Sequence, residues 1–104
     1  MGDPDQSAGS WTLLTGHGHV LVEITRNPDA RIRDISAAVG LTERTVQAIV
    51  ADLEAAGYLS KERVGRRNRY QLHAGGRFRH PAEARHSVDS LLAIFLDDGP
   101  AAGR

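Results

Sequence analysis

The stretch Arg31–Leu72, RIRDISAAVGLTERTVQAIVADLEAAGYLSKERVGRRNRYQL, has the clearest periodicity in the chain and decides its fold. Ile35, Ala38 and Val39 are spaced to face inward from a short helix over Arg33–Val39. Gly40 follows, and glycine adopts the left-handed backbone that stops a helix abruptly. Leu41 then returns to the core. Thr42 has the hydroxyl to cap a second helix, and Glu43 suits the positive end of its dipole. Over Glu43–Ala56, Val46, Ile49, Val50 and Leu53 share one face at the helical period. After Gly57 the period shortens to two. Tyr58–Val64 and Arg69–His73 alternate as strands around a Gly65-Arg66-Arg67-Asn68 tip, with glycine and asparagine supplying the turn geometry. Leu59, Tyr70 and Leu72 are expected to pack inward. The predicted fold is mainly α with a small β-hairpin, an α+β arrangement.

Working outward, residues 1–10 are polar, rich in Gly, Ser, Asp and Pro, and read as a disordered tail. Trp11, Leu13 and Leu14 form an apolar cluster, and Trp11 is expected to anchor against the body or a second copy of the chain. Val20, Leu21 and Ile24 predict a first helix over His17–Asn27, ended by Pro28 and Asp29. Ala30–Ile32 is read as a short strand pairing with the hairpin. Beyond Gly75 and Gly76, Pro81 suits the first turn of a last helix running to about Leu96. Ala84, Val88, Leu91, Leu92 and Phe95 share its apolar stripe, with Ile94 and Leu96 on the flanks. That is more apolar surface than one small domain needs. A seam with a symmetry mate is expected, the alternative being a helix folded back on its own core. The chain thus divides into a tail (1–10), a main domain (11–79), a terminal dimerisation helix (80–97) and a second tail (98–104).

A chain of 104 residues supports one small domain. It holds no cysteine, which excludes disulfides, thiolate metal sites and cysteine nucleophiles. No apolar run approaches a membrane span, and no secretory pattern is visible at the N-terminus, so a cytoplasmic location and no membrane partner are expected. Formal net charge is +0, yet its distribution is uneven. Between Tyr58 and His80, Lys61, Arg63, Arg66, Arg67, Arg69, Arg77 and Arg79 face a single acid, Glu62. A basic run is often no more than a solvated face. Here it lies on a hairpin directly after an amphipathic helix whose outer face carries Arg44, Ala48, Ala51 and Ala55, flanked by Thr45 and Gln47. Small alanines let a backbone approach a groove closely. Arginine suits guanine and glutamine suits adenine. A basic hairpin tip suits phosphate or the minor groove.

The residues RDISAAVGLTERTVQAIVADLEAAGYLSKERVGRRNRYQL resemble the winged helix-turn-helix of bacterial MarR-like and ArsR-like transcription regulators. The strongest likenesses are Gly40-Leu41-Thr42, Thr45-Val46, the ending Leu53-Glu54-Ala55-Ala56-Gly57-Tyr58-Leu59, and the wing Gly65-Arg66-Arg67-Asn68-Arg69-Tyr70. The resemblance spans about Val20 to Leu72. It implies a sequence-specific regulator, expected to be a repressor, that binds double-stranded DNA as a homodimer on an inverted repeat. Arg44, Thr45 and Gln47, with Ala48 beside them, would meet bases. Thr42, Arg66, Arg67, Asn68 and Arg69 would meet the backbone or minor groove. Trp11, Ala84, Val88, Leu91, Leu92 and Phe95 would form the dimer seam.

Two departures bear on sensing. ArsR-like metal sensors often carry cysteines near the recognition helix, which this chain lacks. His86-x-x-Asp89 matches half of another metal site of that family, with His73 and Gly75 where its other half would be. His17 and His19 make a His-x-His pair with no third ligand nearby. The MarR-like N-terminal helix that helps form a dimer and an effector crevice is absent or very short. No metal or other cofactor is therefore expected, and no effector is identified. No nucleophile or phosphate-loop motif is present, so no enzymatic activity is expected. The alternatives are a winged-helix protein-interaction module without DNA binding, or a metal-responsive regulator using His86 and Asp89.

Overall fold

A computed structural model describes residues 11–98; the expected tail at 1–10 lies outside the described residues, as does the expected tail at 98–104 apart from Asp98, which ends the last helix. Four helices and one hairpin follow in the order α1 (Gly16–Arg26), α2 (Ile32–Val39), α3 (Glu43–Ala55), β1 (Leu59–Val64), β2 (Arg67–Leu72) and α4 (Val88–Asp98). Helix α1 is the hub, touching α2, α3 and α4. It can be so because Val20, Leu21, Val22 and Ile24 point into the core around much of its circumference. Thr25 is also buried, and its hydroxyl donates to the Leu21 carbonyl at 2.7 Å, so it leaves no unpaired polar atom. Thr15 caps the helix by accepting from the Gly18 amide.

Helix α2 has one fully buried residue, Ile35. Val39 and Leu41 are half-buried against the same core. Ala38, expected inside, is exposed. It borders an open groove of about 520 Å³ where Leu14, Val22, Val39 and Phe95 also lie, and its short side chain does not reach across. The turn between α2 and α3 forms as the sequence predicts. Gly40 takes φ 75°, and the amides of Gly40 and Leu41 both donate to the Ser36 carbonyl, at 2.9 and 3.3 Å. Helix α3 then buries Val46, Ile49, Val50 and Leu53 on one stripe.

The expected strand at Ala30–Ile32 does not form. The Arg31 amide donates to the Asp34 carboxylate at 3.2 Å, while the Arg31 carbonyl accepts from the amides of Asp34 and Ile35. Those groups start α2 and are not free to join a ladder. Among the described residues, one backbone bond links this region to the sheet, from the Tyr70 amide to the Pro28 carbonyl at 3.0 Å.

The hairpin is a two-stranded antiparallel sheet with Val64 opposite Arg67. Its turn is therefore the two residues Gly65 and Arg66, tighter than the four-residue tip expected, and Arg67 and Asn68 belong to β2. Gly65 at φ 64° makes this possible. Leu59 and Tyr70 are buried and Leu72 is half-buried, as their alternation predicts.

The last helix begins later than Pro81 suggests. Residues 80–86 make successive four-residue turns, the amides of Glu83, Ala84 and His86 donating to the carbonyls of His80, Pro81 and Glu83. Arg77 then bridges to Ser87, with the Val88 amide on the Gly76 carbonyl at 2.7 Å. Extended pairing at Ser87 is incompatible with a helix running through it, so α4 starts at Val88. Ala84 is consequently off the helix and exposed, and His86 precedes it. Val88 and Leu92 fold back into the chain's own core, and Phe95 packs against it.

Because Ile35 alone pins α2 deeply, Ile35→Ala should cost about 2–5 kcal/mol, a large part of the roughly 5–15 kcal/mol that holds such a domain. Urea unfolding monitored by circular dichroism would read this, and Ala38→Ser should change it by less than about 0.5 kcal/mol.

Candidate nucleic-acid interface

The cap of α3 sets the orientation of its first turn. The Thr42 hydroxyl accepts from the Thr45 amide at 3.1 Å and donates to the Thr45 hydroxyl at 2.9 Å. Thr45 therefore keeps its own hydroxyl proton for an outside acceptor. Burial of Val46, Ile49, Val50 and Leu53 turns the opposite face to solvent, and Thr42, Arg44, Thr45, Gln47, Ala48 and Ala51 are all exposed there. The helix N-terminus adds backbone amides and a partial positive charge to the same end.

A cleft of about 300 Å³ separates α3 from the hairpin, lined by Gln47, Ala51 and Glu54 on one side and Lys61, Asn68 and Tyr70 on the other. A second cleft of similar volume continues past Tyr70 and Asn68 to Arg66 and Arg67, with Ala30, Arg31 and Ile32 as its other wall. Lys61, Asn68 and Tyr70 face α3 together because Lys61 opposes Tyr70 and Arg63 opposes Asn68 across the ladder. Glu54 lies within this path, partly offset by Lys61 at 3.8 Å. Arg66 lines this path at the hairpin turn, and Arg44 is exposed on α3 about one turn before Gln47. Among the described residues, neither side chain makes a hydrogen bond or ion pair.

The other hairpin arginines are engaged. Arg67 donates to the Asp29 carbonyl at 2.7 Å, and Arg69 donates through Nε to the Asp29 carboxylate at 2.9 Å. Alternation puts Arg67 and Arg69 on the face away from Asn68 and Tyr70. The wing residues expected as one basic group are thus divided: Arg66 projects from the turn, Asn68 lines the clefts, and Arg67 and Arg69 fasten the hairpin to the loop after α1. Lys61 and Asp29 were not among the predicted site residues. Lys61 could have been found from strand alternation. Asp29 carries no local signal, because its partners lie 38 and 40 residues away in sequence.

A comparison with protein-family models matches the MarR family over residues 12–69, more than half of the chain. The chain belongs to the MarR family. It is accordingly a DNA-binding transcription regulator with the winged helix-turn-helix fold, in which α2 and α3 are the helix-turn-helix and β1–β2 the wing. Members of the MarR family are regulators and not enzymes. No curated protein matches the chain. The matched region takes in the α3 face and most of the wing, and leaves out residues 70–98.

The histidines are placed apart from these clefts. His17 Nε2 lies 2.8 Å from the Asp52 carboxylate, and His19 Nε2 lies 3.1 Å from the Thr12 hydroxyl, so the His-x-His pair addresses two different partners. The Asp89 carboxylate accepts from the Gly75 amide at 2.9 Å. Among the described residues, no group of three or more His, Cys, Asp or Glu side chains is arranged to hold a metal. No described helix is long and apolar enough to cross a membrane.

Tyr70 joins the wing to the core. Burial pushes its phenol above the ordinary value, and the Glu54 carboxylate adds to that, partly countered by a hydrogen bond with Asn68. A raised phenol favours the neutral, folded state. Its contribution is complete below the unfolded value near 10 and is lost as pH rises through the folded value. Tyr70→Phe should remove that alkaline loss: thermal melts from pH 8 to 11 should fall less steeply for the variant than for the parent, and equal slopes would contradict the assignment.

Proposed function

We propose that this MarR-family chain is a repressor that binds an inverted-repeat operator as a homodimer, with α3 in the major groove and the wing turn at the minor groove. The observation that carries the reading is an exposed path along α3 and the wing with Arg66 on its lining at the hairpin turn, and with Arg44 about one helical turn before its lining residue Gln47, neither arginine making a hydrogen bond or ion pair among the described residues. Arg44, Thr45 and Gln47 meet base edges, Ala48 permits close approach, and Thr42 holds a phosphate at the helix start. Arg66 enters the minor groove or binds its phosphates, with Asn68 behind it. Arg67 and Arg69 take part by fixing the wing. The regulator acts in the cytoplasm of a bacterial cell.

Exposed apolar surface supports the homodimer. Trp11 and Leu13 are 81% and 90% exposed, and Ile94 and Leu96 on α4 are more than half exposed. The seam we propose is composed of these four with Leu91 and the outer edge of Phe95, while Val88 and Leu92 support it from inside. In such a homodimer the two α3 helices are expected to occupy successive major grooves, about 34 Å apart.

Asp89's bond to the Gly75 amide and the position of His86 ahead of α4 speak against the metal-responsive alternative. The match to the MarR family favours DNA binding over the protein-interaction alternative. Titrating a fluorescent random-sequence duplex of about 30 base pairs at several salt concentrations tests the reading. Arg66→Ala should weaken binding and lower the magnitude of the salt slope by about 0.9 for each phosphate that is no longer neutralised. An unchanged slope removes the wing from the interface, and no binding by the parent at micromolar protein and low salt would favour the interaction module.

A further inference from the structure

The loop after α1 grips the wing at three points. The Tyr70 amide donates to Pro28, Arg67 donates to the Asp29 carbonyl, and Arg69 pairs with the Asp29 carboxylate. The Tyr70 amide lies on the edge of β2 that β1 does not use, so this bond docks the hairpin against the body and adds nothing to the hairpin itself. Asp29 follows Pro28 directly, and proline's fixed φ limits how far that loop can swing. The pitch of the wing relative to α3 is thereby set from the far end of α1.

We propose that Asp29 is a positioning and specificity-determining residue: it holds the wing at a fixed pitch and withholds Arg69 from DNA, leaving Arg66 to reach the duplex for the wing. The inference rests on the wing's role in DNA binding proposed above. The Asp29–Arg69 pair is more than half exposed on both sides, and such a pair adds little to stability. Its consequence is electrostatic. A phosphate that drew Arg69 away would leave the Asp29 carboxylate unneutralised beside the DNA, and like charges at that distance repel. Glu62 lies opposite Arg69 on the same face of the ladder and adds to that repulsion. The wing therefore resists sequence-independent binding of phosphates along the side of β2, which sharpens the difference between a site that fits Arg66 and one that does not.

The test uses the full chain and a random-sequence duplex of about 30 base pairs. Asp29→Asn keeps the backbone carbonyl for Arg67 and removes the charge that holds Arg69. Glu83→Gln, in the loop before α4, makes the same change of charge away from the wing. Asp29→Asn should bind this non-specific duplex several-fold tighter, with a salt slope steeper than that of Glu83→Gln by about 0.9, the effect of neutralising one more phosphate. Hydrogen exchange of the Tyr70 amide should quicken in Asp29→Asn without DNA present, while global stability stays near the parent's. Equal slopes for the two variants, or an unchanged Tyr70 exchange rate, would overturn the proposal. Arg66→Ala separates the two readings. If it lowers the slope while Asp29→Asn matches Glu83→Gln, the clamp alone fails; if neither variant changes the slope, the wing does not touch the duplex and the clamp fails with it.

Discussion

The burial of one stripe of α3 against the core is the constraint on which the rest of this molecule depends. Val46, Ile49, Val50 and Leu53 leave the helix a single way to sit. Arg44, Thr45 and Gln47 must then face outward, and the capped N-terminus must stay open to solvent. Helix α1 makes that seat rigid by packing against α2, α3 and α4 at once. The wing is a different kind of attachment. It joins the body through buried Leu59 and Tyr70 and through polar bonds to Pro28 and Asp29. Apolar burial is indifferent to small rotations, whereas hydrogen bonds with defined directions are not. The first kind of attachment fixes where the wing is, and the second fixes where its turn points.

Charge is organised around that geometry more than around net balance. A chain with formal charge +0 leaves Arg66 at the hairpin turn and Arg44 at the start of α3 without a hydrogen bond or ion pair among the described residues, while Arg67 and Arg69 are engaged by Asp29. Glu54 lies within the path, held near Lys61, so the middle of the cleft between α3 and the wing is close to neutral. A duplex meets positive charge where a helix start and a hairpin turn reach it, and meets the cleft between them as shape.

Much of this is legible in the residues. The helical spacing in α3, the Gly40-Leu41-Thr42 turn and the alternation around Gly65 each place an element correctly, because each is a local rule enforced by local geometry. The failures share a cause as well. Ala30–Ile32 has strand-like residues, but the Asp34 carboxylate recruits the Arg31 amide to start α2. Pro81 is well suited to open a helix, but pairing of Arg77 with Ser87 keeps the backbone extended until Val88. The wing arginines read as one basic group, but a carboxylate 40 residues before Arg69 divides them. In each case a partner distant in sequence, or a competing bond to the same backbone group, decides between two locally reasonable structures. The apolar stripe expected along one long helix is shortened in the same way: α4 begins at Val88, and Val88 and Leu92 are buried in the chain's own core.

Base reading by a homodimer is tested most directly by selecting duplexes bound by the purified full chain from a random-sequence pool and sequencing them. An α3 that reads bases from each half of a homodimer predicts an enriched inverted repeat whose half-sites are centred about 10–10.5 base pairs apart. Enrichment of a lone half-site would contradict the dimer, and recovery of no motif from DNA that is nonetheless bound would contradict base reading by Arg44, Thr45 and Gln47.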